Sequence, residues 1–175
     1  VYSTGNAVIV DLGSKRKGSR ATELTKLENK LEDAQKALDK KAKKEADSDK
    51  KSDKEPKRSE KLLNKVLSGE LPLIAYADRA TDILALIKLK EQFGLDLAIS
   101  GAGDAVIVAE QLAQAKVPVI MGAVSNLPSS FDSLHASLEN AGKLAKAGVD
   151  IVFTVRGDTH NLYQLRFYAA VAIAH

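Results

Sequence analysis

Apolar residues along 71–122 fall into three short runs separated by two stretches of helical spacing, in the order strand, helix, strand, helix, strand. The first run, LPLIA at 71–75, shows no polar alternation, the pattern of a strand covered on both faces. From 82 to 93 the residues Ile83, Leu86, Ile87 and Phe93 recur at helical spacing, and Gly94 stands where a left-handed cap would stop the helix. A second strand is expected over 95–100. A helix carrying Ile107, Val108 and Leu112 then follows, with Asp104 at its start, and a third strand spans 117–121. Strands joined by helices of this length run parallel, with right-handed crossovers.

The flanking sequence extends this unit. NAVIVDL at 6–12 reads as a further buried strand, and the glycine-bounded basic loop GSKRKGS follows it. Ser19 and Arg20 then open a long helix in which Leu24, Leu27, Leu31, Ala34 and Leu38 form a narrow apolar stripe. Over 39–57 no apolar residue larger than alanine occurs, so burial cannot offset the entropy of ordering. This segment is expected to be a frayed helix end leading into a disordered, charged insertion. Ser59 can cap a short helix over 60–67, ended by Gly69. After Met121 comes the long loop GAVSNLPSSFDS. Leu134, Leu138, Ala141, Leu144 and Ala147 then mark an amphipathic helix closed by Gly148. A strand over 150–154, the loop VRGDTHN and a helix over 162–174 complete the chain. The fold class is α/β, a parallel sheet of alternating βα units with about five strands.

Composition narrows the partners. With 28% charged and 45% hydrophobic residues in 175, the chain has the make-up of a globular domain, and its few aromatics imply an aliphatic core. The formal charge is only +3, and the basic residues gather in one region without interleaved aromatics, so no nucleic acid partner is expected. No apolar run is long enough to span a bilayer, and no membrane partner is expected. Cysteine is absent, which excludes disulfides and thiolate metal sites but leaves the compartment open. The opening Val1 and the apolar AAVAIAH ending read as cut ends, as if 1–175 were a piece of one larger domain.

In parallel α/β architectures ligands meet the carboxyl ends of the strands. The residues expected there are Tyr76, Asp78 and Arg79, then Ser100 to Asp104, then Gly122 to Asn126, then Arg156 to Asn161. Asp78, Thr81 and Asp104 are also ordinary helix caps, and Asp78 with Arg79 reads equally as a surface ion pair or a rim contact to substrate. GAGDAV at 101–106 approaches a dinucleotide fingerprint, but Val106 takes the place of its last glycine. A tight turn, or a small anion bound near Gly101 to Asp104, fits it better. Of three histidines, His135 falls in the amphipathic helix and His175 ends the chain. His160 stands two residues from Asp158 on a loop after a strand. These two could share a divalent metal, but a hydrolytic site needs three or more ligands, so no metal is expected on this segment alone.

GELPLIAYADRATDILALIKLKEQFGLDLAISGAGDA, VPVIMGAVSNLPSSFDSLHASLENAGKLAKAGVDIVFT and DTHN with LRFYAAVAIAH together resemble the later barrel strands of imidazolonepropionase-like proteins of the amidohydrolase superfamily, over about residues 60–175. That resemblance implies part of a (β/α)8 TIM barrel. Its parent would hydrolyse the C–N bond of a small cyclic or linear amide with a water activated by a divalent metal such as zinc. It further implies Asp158 as metal ligand or proton acceptor, and Tyr76, Arg79 and His160 as substrate contacts. Tyr76 stands where a middle-strand histidine would fall, and the next strand ends in Ser100 and Gly101, again without histidine.

The departures favour a second possibility, a catalytically inactive barrel kept as a binding or scaffold module. A third is an independent doubly wound domain that binds a small anion. The expected partners are a small-molecule substrate and the remainder of the barrel, with self-association through exposed sheet edges.

Overall fold

A computed structural model describes residues 6–12, 19–46, 58–122, 126–155 and 159–175. The expected segments fold into five strands and six α-helices. These are β1 (Val8–Asp11), α1 (Arg20–Ala46), α2 (Arg58–Leu67), β2 (Leu73–Ala77), α3 (Ala80–Phe93), β3 (Leu97–Gly101), α4 (Ala109–Gln114), β4 (Val119–Met121), α5 (Asn140–Lys146), β5 (Ile151–Phe153) and α6 (Leu165–Ala174). Short 3-10 turns precede α4 and α6.

All neighbouring strands pair in parallel, and their order across the sheet is β1-β2-β3-β4-β5. A doubly wound sheet reverses its strand order at a switch point, and this sheet has no reversal. Right-handed crossovers that advance in one direction place every helix on the same side. The arrangement is that of a partial (β/α)8 barrel, and the doubly wound alternative is thereby set aside.

One expectation is corrected by this topology. The run at 71–75 is expected to be covered on both faces, yet in β2, as in β3, buried and partly buried residues alternate. Leu73, Ala75, Ala77, Leu97, Ile99, Val119 and Met121 enter the core shared with α1 to α5, whereas Ile9, Ile74, Ala98, Ile120 and Val152 stand on the opposite face, outside it. Ile9 is 74% and Val152 51% exposed at the two ends of the sheet. The run of apolar residues arises because the second face of a barrel strand is an interior too, here left open.

Local signals operate as their chemistry dictates. Ser19 Oγ accepts the Thr22 backbone N–H and caps α1, whose Leu27, Leu31 and Ala34 are buried. Helix α1 continues to Ala46, inside the segment read as frayed, and 47–57 lies outside the described residues. Gly94 takes φ 65° at the end of α3, and its N–H bonds back to the Lys90 carbonyl. The helix expected from Leu134 forms only from Asn140. Leu134 is exposed, and the chain before Asn140 is held in turns instead.

Candidate functional site

The carboxyl ends of β2 and β3 are joined by one side chain. Asp78, just past β2, accepts the Tyr76 hydroxyl at 3.0 Å on Oδ2 and the Gly103 backbone N–H at 3.2 Å on Oδ1. Asp78 therefore does not cap α3, whose N-cap residue is Arg79 with no side-chain cap bond. The turn that was a candidate anion site has its Gly103 N–H occupied by this chain's own carboxylate. Gly101 makes that closeness possible. Its φ is 94°, and a Cβ there would lie 2.7 Å from Asp78 Oδ1 and 2.9 Å from the Tyr76 ring.

The long loop folds back over this rim through three attachments. Arg79 Nε donates to Asp132 Oδ1 at 2.6 Å, and Arg20 from α1 donates to the same oxygen at 2.7 Å while its Nε lies 3.1 Å from Asp82. Asp104 makes no cap bond and instead meets His135 Nδ1 at 3.0 Å. Asn140, fully buried, donates through Nδ2 to the carbonyls of His135 and Gly103 at 2.8 and 3.4 Å. Asn140→Ala leaves both carbonyls without that donor. It is expected to cost about 1 kcal/mol, read as a lower urea midpoint with unchanged slope.

Two carboxyls in the network are shifted in opposite directions. Burial raises Asp82 above the ordinary aspartate range, the nearby arginines only partly offsetting it. Burial also pushes Asp132 upward, but the hydrogen bonds and charges of Arg20 and Arg79 outweigh it and leave that carboxyl below the usual range.

Of the residues singled out from sequence, Tyr76 sits at the expected rim with its hydroxyl bonded to Asp78, and it has a further partner as well. Arg79 pairs with Asp132 rather than with its neighbour Asp78. Asp158 lies outside the described residues. The backbone of His160 falls in the 3-10 turn Thr159–Gln164, while its side chain lies outside them. Arg20, Asp132, His135 and Asn140 were not identified as parts of one loop network. They come from two separate stretches, Arg20 at the start of α1 and the other three within 132–140, and only the Asp-x-x-His spacing at 132–135 hints at them.

Among the described residues no three His, Cys, Asp or Glu side chains converge as the ligands of a metal ion would. At the positions where the resemblance implies histidines stand Tyr76, committed to Asp78, and Ser100 with Gly101. Phenol is a poor zinc ligand beside imidazole, since it must first lose a proton of pKa about 10. The described residues alone therefore do not fit a divalent metal.

A one-directional parallel βα sheet with polar groups gathered at its carboxyl rim defines the class: a segment of a βα barrel. No protein-family model and no curated protein matches the sequence. Among solved structures the chain is similar to an amidohydrolase from Thermotoga maritima MSB8. The TM-score is 0.86 and the identity 21%, over 99% of this chain and 48% of that one. The likeness establishes the shared fold, and the chain spans about half the length of that neighbour.

Proposed function

We propose that this chain forms the later half of an amidohydrolase-like barrel and that its rim receives a small organic molecule, a cyclic or linear amide, without itself supplying the metal site. The observation that carries this reading is the Tyr76–Asp78–Gly103 link: the position where the resemblance implies a metal-binding histidine is instead tied into hydrogen bonds that join the ends of β2 and β3. The open face, and the edges of β1 and β5 that pair with no further strand among the described residues, are where the remaining strands would pack, as the half-length match to the solved structure supports.

In the hydrolytic version of the same reading, a longer parent cleaves the C–N bond with water activated on zinc. Ligands would come from outside the described residues, Asp158 among them, and Tyr76, Arg79 and His160 would contact substrate. Metal content decides between the two. Parent protein purified without chelator is expected to hold well under about one equivalent of divalent metal and to bind amides such as hydantoin without turnover. One tightly held equivalent of zinc together with hydantoin hydrolysis would establish the metallohydrolase instead.

A further inference from the structure

Parallel register sets a row of side chains across the sheet that sequence order conceals. Asp11 in β1 is the partner of Tyr76 in β2, and Tyr76 is the partner of Ser100 in β3. Since partnered residues of neighbouring strands share a face, all three stand on the open face, at its carboxyl end, where the barrel fold places ligands. The alternating residues Val10, Ala75 and Ile99 belong to the core on the other side.

We propose that Asp11 is a further ligand-contacting residue of this rim, and that it selects ligands carrying N–H donors, cationic amidines or amines above all. The proposal rests on the reading of the rim as a small-molecule site. An ionised carboxylate only accepts hydrogen bonds. The Tyr76 hydroxyl donates its hydrogen to Asp78, so toward a ligand that oxygen acts as an acceptor, beside the further contact that Tyr76 already makes. The two guanidinium groups of the loop network are held elsewhere, Arg20 by Asp82 and Asp132, and Arg79 by Asp132. His135 faces Asp104. Among the described residues of the row the charged group is a carboxylate, which an N–H donor matches, while the Ser100 hydroxyl can donate or accept. Asp11 is already engaged within the protein, so an incoming donor shares or replaces that contact.

Three probes of one shape separate the contributions: benzamidine is cationic with several N–H groups, benzamide is neutral, and benzoate is anionic. Titrated by calorimetry into the full-length parent at pH 7, benzamidine is expected to bind roughly tenfold more tightly than benzamide, with benzoate weakest. Asp11→Asn, nearly the same shape without the charge, should abolish the preference for benzamidine while leaving benzamide affinity within about twofold. If Asp11→Asn fails to fold, Asp11→Ser is read in the same way. A preference that survives loss of the carboxylate, or is missing from the wild type, overturns the assignment of Asp11 and leaves the rim site standing. If none of the three probes binds, the assignment and the small-molecule reading fall together.

Discussion

Gly101→Ala is expected to lower the unfolding free energy by about 2–3 kcal/mol, combining the strain of an L-residue at positive φ with the repacking of the platform above it. The backbone at Gly101 has φ 94°, and the added methyl would meet Asp78 Oδ1 at 2.7 Å and the Tyr76 ring at 2.9 and 3.1 Å. Asp78 cannot simply swing aside, because its other contacts, the Gly103 N–H and the Tyr76 hydroxyl, hold it. Gly94→Ala is the matched control, with φ 65° but no atom within 4 Å of the new Cβ, and should cost only about 1 kcal/mol. Urea unfolding of both variants separates conformational strain from collision. Equal midpoint shifts would show that the Tyr76–Asp78–Gly101 contact carries no energy of its own.

The same glycine shows how far sequence reasoning reaches. GAGDAV is legible as a tight turn, because glycine is the residue that adopts positive φ cheaply. That the turn closes on Tyr76 and Asp78 is not legible, since the contact joins two strands and depends on register. The parallel βα alternation is likewise readable from apolar spacing, because each strand and helix declares its own period. Periodicity fails at Leu134 and Leu138, which are spaced as a helix with Ala141 although α5 begins only at Asn140. There the backbone is held by tertiary bonds, among them Asn126 Nδ2 to the Ser137 carbonyl and Asn140 Nδ2 to that of His135. Local propensity yields to such bonds when the polar groups are buried. Burial on one face or two is also ambiguous in sequence, since a barrel interior and a helix-covered face both select apolar side chains. Arg20, Arg79 and Asp132 form the clearest case of illegibility. Arg79 is expected at the rim, but Arg20 and Asp132 are unremarkable surface-type residues in their own segments, and only the fold brings both guanidinium groups onto one carboxylate.

That shared carboxylate has an expected sign of behaviour opposite to its neighbour's. Asp132→Asn can keep its Oδ1 toward both guanidinium groups, which meet that one oxygen at 2.6 and 2.7 Å, but it removes the negative charge they share. The loss is expected to be about 2 kcal/mol at pH 7, toward the low end for paired charges because Arg79 is partly solvated. Asp132 titrates below its ordinary value in the folded protein, so its contribution is complete above the unfolded aspartate pKa and fades as the pH falls through the lower, folded one. Asp82 titrates above its ordinary value, burial being the main cause, so its linkage runs the other way: the contribution is complete below the unfolded pKa and is lost as the pH rises through the folded one. Asp82→Asn removes that loss, and is expected to be neutral or stabilising at pH 7 although it deletes an ion pair with Arg20. Unfolding midpoints of the two variants between pH 3 and pH 7 test the pair together. Asp132→Asn should flatten the acid side of the profile, and Asp82→Asn should lift its neutral side. Two variants that both destabilise at pH 7 by similar amounts would mean that Arg20 binds its carboxylates as equals, against the opposed environments that burial and Arg79 create around them.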